Sequence, residues 1–268
     1  MKTTRRTFGA SALAFAVGAT SPLPTWAELR NLNQAIDEAG RQRMLSQRMA
    51  KAWLAIGQGF MPARAERILA DSVALFERQL KELSDFAPTP EIGATYQSLA
   101  SVWAPYKSAL LDRTPNKSSA QSLINADAQV LKLAHQGTVQ FEQHFGQHIG
   151  KLVNMSGRQR MLSQRTAKFY LLKAWDVATP EQMKELNVAR AEFVHALDTL
   201  MAAPEATEGI KSELELARQQ WIFFDNALSR VGDSSNAQQH AVEVFSSSEN
   251  ILQVMETVTT LYSAEKLT

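Results

Sequence analysis

"GRQRMLSQRMAK" occupies residues 40–51, and "GRQRMLSQRTAK" occupies residues 157–168. The two stretches agree everywhere except at Met49 and Thr166. A dozen residues repeated at an offset of 117 positions call for a search for the rest of a repeat, because overlooking one misreads the whole fold. Other landmarks keep nearly the same offset. Leu69, Phe76, Leu80 and Leu83 correspond to Leu186, Phe193, Leu197 and Leu200, and "WAPYKSAL" (103–110) corresponds to "WIFFDNAL" (221–228) one residue further on. The sequence therefore reads as a duplicated module.

Each module reads as four helices. Alternating β-branched runs and Asn-Gly or Asp-Gly turns are nearly absent, so strands are not expected. Breaks fall near residues 57–64, 86–91 and 112–119, and again near 176–182, 202–207 and 231–236, where Pro and Gly cluster with Ser, Thr and Asp. Thr179-Pro180-Glu181 has the form of an N-cap followed by proline in the first helical turn. Long helices with short connections predict an all-α chain of two tandem four-helix up-and-down bundles. The boundaries are a leader over 1–27, module one over 28–146 and module two over 147–268.

The join has two readings. No proline occurs between Ser119 and Trp175, and Phe141, Phe145, Ile149 and Leu152 continue one apolar stripe. That continuity favours one long helix joining the bundles end to end. A turn near Gly146 or Gly150 would instead lay them side by side, with Arg43 facing Arg160 within one chain. In the long-helix case each box would need its twin from a second chain, in a homodimer.

On a helix, Ile36, Gly40, Arg43, Gln47, Ala50 and Leu54 share a stripe, and so do Val153, Gly157, Arg160, Gln164, Ala167 and Leu171. Arg43 and Arg160 thus stand where core residues belong. A buried cation without a partner costs several kcal/mol, so each requires an anion or a wet pocket. Gly40 and Gly157, one turn away, let a backbone or ligand approach closely. A guanidinium fork suits planar oxyanions. The alternative is a packing seam in which the arginines pair with internal glutamates or helix-end carbonyls.

The first residues have the form of an export leader: Arg5 and Arg6 precede "GASALAFAVGAT" and a small residue at Ala27. The arginine pair resembles the twin-arginine type, which points to the periplasm. Removing Lys2, Arg5 and Arg6 from the 28 basic residues leaves 25 against 27 acidic ones. The basic excess of the whole chain therefore gives no reason to expect nucleic-acid binding. With no cysteine, disulfides and thiolate chemistry are excluded.

No nucleophile elbow, phosphate loop or acid/base pair is present, so catalysis is not expected. His144 and His148 have the i, i+4 spacing of a metal pair, which makes a His-ligated metal or haem the weakest alternative; no metal and no cofactor is assigned. Met44, Met49, Met61 and Met161 read as core filler, and Trp53, Trp103, Trp175 and Trp221 read as packing.

At these residues a family comes into view. "AGRQRMLSQRMAK" resembles the signature helix of PilJ-type sensor domains of type IV pili methyl-accepting chemotaxis transducers, and it is similar to the P-box of nitrate/nitrite sensor kinases. The resemblance implies a periplasmic helical ligand-binding domain. In the nitrate sensors, arginines of paired P-box helices hold one nitrate. By position, this implies a small inorganic oxyanion, nitrate or nitrite by analogy, at Gly40, Arg43, Gln47, Gly157, Arg160 and Gln164. Arg41 and Arg158 depart from that pattern. Family members carry membrane helices and an output domain, whereas this chain reads as ending near Leu267. The expectation is a soluble sensory protein reporting to a membrane-bound sensor kinase or chemoreceptor. The alternative is a helical interaction module that pairs with such a receptor and binds no small ligand.

Overall fold

The computed structural model describes residues 31–230 and 236–264. The proposed leader and its cleavage point lie outside them. Eight helices follow in order: α1 (Leu32–Gly57), α2 (Pro62–Phe86), α3 (Pro90–Leu111), α4 (Lys117–Phe145), α5 (His148–Ala174), α6 (Pro180–Ala202), α7 (Glu208–Ser229) and α8 (Ala237–Ala264). The described residues contain no strand.

The helix boundaries follow local chemistry. Asn31, Thr89, Asn116, Thr179 and Thr207 each accept a hydrogen bond from the backbone N–H three residues on, satisfying a donor that the first turn would leave orphaned. Thr179 and Gln182 complete a reciprocal capping box. Pro62, Pro90 and Pro180 sit in first turns, where the missing N–H costs nothing.

The chain breaks where the apolar stripe suggested continuity. α4 ends at Phe145, Gly146 takes a left-handed φ of +67°, and α5 begins at His148. The long-helix reading is thus corrected. A single residue without a Cβ lets the chain reverse while Phe141 and Ile149 remain in the core on either side of the turn. His144 and His148 consequently lie on different helices, and the helical spacing that suggested a metal pair does not exist. His148 Nδ1 instead lies 2.7 Å from Glu205.

α1 packs on α2 and α4, and α5 packs on α6 and α8. Each quartet closes through its third helix, with Phe76 stacked on Trp103 at 4.2 Å in one and Phe193 stacked on Trp221 at 3.9 Å in the other. The two quartets lie side by side along α1 and α5, which make the most extensive helix contact in the molecule. Their register is parallel: Ile36 lies beside Gly150, Gly40 beside Gly157 and Gly57 beside Trp175. Both central helices are therefore largely enclosed, with Arg41, Arg48, Arg158 and Arg165 partly exposed. This helps to account for the near-identity of the two boxes, since the rest of the dozen is buried.

α4 and α8 also correspond, at a different offset. Every buried position of α4, from Ala120 and Leu123 to Thr138 and Phe141, has a buried counterpart on α8 exactly 121 residues later, from Ala241 and Val244 to Thr259 and Tyr262. Longer α6–α7 and α7–α8 connections account for the extra four residues.

Candidate functional site

The two box arginines converge at the α1–α5 seam. Arg43 is 1% exposed and Arg160 is fully buried. Their Nη2 atoms crowd the glycines: a Cβ added at Gly157 would stand 3.0 Å from Arg160 Nη2, and one at Gly40 would stand 3.2 Å from Arg43 Nη2 and 3.4 Å from Arg160 Nη2. The glycines are needed because the guanidinium groups occupy the space a side chain would take.

The two guanidinium groups use the same atoms toward corresponding positions. Arg160 Nη2 meets Asp37 Oδ1 at 2.7 Å and donates to the Asp37 carbonyl at 3.1 Å, while its Nη1 donates to Glu256. Arg43 Nη2 donates to Asn154 Oδ1 at 2.7 Å and to the Asn154 carbonyl at 3.3 Å, while its Nη1 lies 3.3 Å from His135 Nδ1. Asn154 stands at the position of Asp37, and His135 at that of Glu256. Two carboxylates are therefore replaced by an amide and an imidazole. Among the described residues Arg43 makes no ion pair. Asn154 passes its other end to Glu142, to which its Nδ2 donates, so the nearest acid acts through an amide. An arginine can only donate, so His135 Nδ1 must accept and carry no proton.

The electrostatics follow. Burial, then Arg158 and Arg160, pulls Arg43 down to about 9, which still leaves it a cation at neutral pH. Burial also opposes the charge on Arg160, but Glu256 and Asp37 outweigh it and hold Arg160 above its ordinary value. His135 is lowered by burial and by Arg43 and Arg158.

The difference extends along both flanks. On the α8–α1–α2 flank, Glu249 takes Arg48 and Lys51 (Nζ at 2.6 Å), and Glu256 takes Arg41 (Nε at 3.0 Å) as well as Arg160. The corresponding cations of α5 turn the other way. Arg158 pairs with Glu192, and Arg165 with Glu185 at 2.6 Å, both on α6; only Lys168 turns to α4, meeting Asp127 at 2.7 Å. Where α8 has Glu249, α4 has Ala128. With its arginines drawn to α6 and no acid on α4 at the position of Glu249, the α4–α5–α6 flank opens into a cleft of about 600 Å³ whose lining also includes Asp127, Glu181 and Glu185. Arg43 reaches it from α1, and Lys132, His135, Arg158 and Met161 line it. Gln182 Nε2, donating to Gln121 Oε1 at 3.3 Å, crosses one end.

Of the residues expected to form the site, Gly40, Arg43, Gly157 and Arg160 are brought together. Gln47 and Gln164 point to the flanking helices. Gln47 donates to Asp127 at 2.8 Å and accepts from Lys168 at 2.6 Å, while Gln164 donates to the Ser248 carbonyl at 2.8 Å. Lys51 and Lys168, the last residues of the quoted boxes, join the network beyond the expected site residues and are 0% and 3% exposed. Their signal was present: a lysine kept in both copies at the inner end of an otherwise apolar turn. Asp37, His135, Asn154, Glu249 and Glu256 carried no motif. No group of three or more His, Asp or Glu side chains among the described residues is placed to hold a metal ion.

Comparison with known proteins decides the family. The chain matches PilJ, the type IV pili methyl-accepting chemotaxis transducer N-terminal family, over residues 25–132 and 146–245. The chain belongs to the PilJ family. It is also similar to the methyl-accepting chemotaxis protein McpN of Pseudomonas aeruginosa, with 31% identity over 120 residues covering 42% of this chain and 22% of that protein. The matched region thus spans about a fifth of that relative's length. No solved structure matches the chain. The family places the chain with sensory input regions of chemotaxis receptors, and no described helix is long and apolar enough to cross a membrane.

Proposed function

We propose that this PilJ-family chain is an exported, periplasmic input protein that binds a small anion at Arg43 and reports its occupancy to a membrane-bound chemoreceptor or sensor kinase, without catalysing a reaction. One observation carries the reading. Of two equivalent buried arginines, Arg160 has two carboxylate partners and Arg43 has none, while Arg43 borders an open cleft. A buried guanidinium of this kind favours a ligand that brings the missing charge. Nitrate or nitrite is the oxyanion that family analogy suggests. Within the box, Arg160 serves the fold and Arg43 the ligand, with Gly40 and Gly157 making room for both.

The test is calorimetric titration of the purified protein with nitrate, nitrite, sulfate and chloride, alongside Arg43→Ala and Arg160→Ala. Saturable binding that disappears with Arg43 supports the proposal. A folded wild-type protein that gives no heat with any anion contradicts it and favours the alternative of a pure interaction module.

A further inference from the structure

The His135 side of Arg43 is occupied, and what occupies it is titratable. Arg43 Nη1 lies 3.3 Å from His135 Nδ1, and because a guanidinium only donates, that nitrogen must present a lone pair. A proton on Nδ1 would remove the acceptor and set two cations face to face. Arg158, from α5, adds to that repulsion, and Glu192, from α6, opposes it. Lys132, one turn away on α4, lines the same cleft. The closed flank shows how two cations are reconciled at this place. There one carboxylate, Glu256, is shared by Arg160 and Arg41. On the open flank the counterpart of Arg41 is Arg158, which is committed to Glu192. An anion that reaches Arg43 therefore displaces a neutral imidazole, and that imidazole, once protonated, is the second cation the arrangement lacks.

We infer that His135 is a second ligand-binding group of this site and enters as the imidazolium, so that each anion bound at Arg43 is taken up together with one proton. This rests on the reading of Arg43 as the anion anchor, and it adds how pH governs that anchor. Without anion, burial and then Arg43 and Arg158 hold His135 below its ordinary 6.5. An anion lodged between the guanidinium and the ring reverses the sign of the nearest charge and raises the imidazole. Affinity is then greatest below the anion-free value and falls as pH rises toward the anion-bound one, by at most about tenfold per pH unit for a single proton. His135 is an exposed residue of α4, so its ring can change rotamer to admit the anion without unpacking the core.

Calorimetric titration of the purified protein with nitrate, nitrite, sulfate and chloride at pH 6 and pH 7.5, in buffers of two different ionisation enthalpies, tests this. Whichever anion binds should bind about tenfold more tightly at the lower pH, with net proton uptake. His135→Gln, whose amide can accept from Arg43 and donate to an anion but cannot titrate, should bind with equal affinity at both pH values. NMR titration of the wild type gives a reading that needs no variant: the His135 imidazole should have a higher pKa with saturating anion than without. Binding that is the same at both pH values, without proton uptake, would overturn the inference and leave Arg43 as a proton-independent anion anchor. A pH dependence that survives His135→Gln would assign the proton to another group and overturn it as well. No binding of any of the four anions at either pH would overturn both readings.

Discussion

On one flank of the α1–α5 seam, α8 reaches across with Glu249 and Glu256 and takes four cations from the two central helices. On the other, α4 offers Asp127 alone, and two of the corresponding arginines turn to α6. Nearly the same dozen residues on α1 and α5 thus make a closed ion-pair network on one side and a cleft on the other. The boxes do not decide which flank opens; residues outside them do. Ala128 and His135 in place of Glu249 and Glu256, and Asn154 in place of Asp37, separate a structural arginine from one available to a ligand.

The largest expected effect tests the ion pair that α4 makes with α5. Lys168→Ala leaves Asp127, which is 0% exposed, without its cation and should cost about 3–5 kcal/mol in denaturant unfolding. Lys51→Ala should cost less, because Arg48 still holds Glu249. A larger loss at Lys51 would mean that the networks are not partitioned as described.

Next comes the arginine pair itself. Arg160→Gln leaves Asp37 and Glu256 with Arg41 alone and should destabilise by about 2–3 kcal/mol. Arg43→Gln removes a buried cation that has no carboxylate, and unfolding should show it within about 1 kcal/mol of wild type. Equal losses at the two positions would erase the distinction.

Acid should act on the closed flank. Burial opposes the charge on Glu249, but Lys51 and Arg48 outweigh it and hold its pKa near 2 against an ordinary 4.5. A carboxylate lowered on folding contributes stability that is present above its unfolded pKa and is lost as pH falls through the folded one. Unfolding free energy should therefore decline by about 2–3 kcal/mol from this group between pH 4.5 and 2. Glu249→Gln should flatten that part of the pH profile; an unchanged slope would show that Glu249 is not held by the two cations.

The smallest effect concerns the glycines. A Cβ at Gly157 would stand 3.0 Å from a guanidinium pinned by two carboxylates, whereas one at Gly40 meets the less constrained Arg43 at 3.2 Å and that pinned guanidinium only at 3.4 Å. Gly157→Ala should cost about 1–2 kcal/mol and Gly40→Ala less, by the same unfolding measurement.

Much of this architecture can be read in the chain. The proline and threonine caps locate the helix starts, and the copied box marks the two central helices with their buried arginines. The reversal at Gly146 is legible only as the less favoured of two readings, because the apolar residues on either side keep helical phase through it. The partners of the arginines were hidden for a different reason. The boxes repeat at 117 residues but α4 and α8 correspond at 121, so His135 and Glu256 do not align when the box offset is applied. Nor does a lone His, Asn or Glu announce what it faces; only packing brings His135 and Asn154 to Arg43. The complete copying of the box, charged residues included, suggested a repeated function. In the structure much of it reflects the burial of every box residue except Arg41, Arg48, Arg158 and Arg165.

The central claim is that Arg43 lacks the carboxylate its counterpart holds, and that an external anion can provide it. The most direct measurement is the melting temperature of wild type and His135→Glu, each with and without a saturating anion. The account predicts that His135→Glu melts higher than wild type in the absence of anion, and that only wild type gains stability when anion is added. A His135→Glu protein that melts lower, or that gains as much from the anion as wild type does, would contradict it.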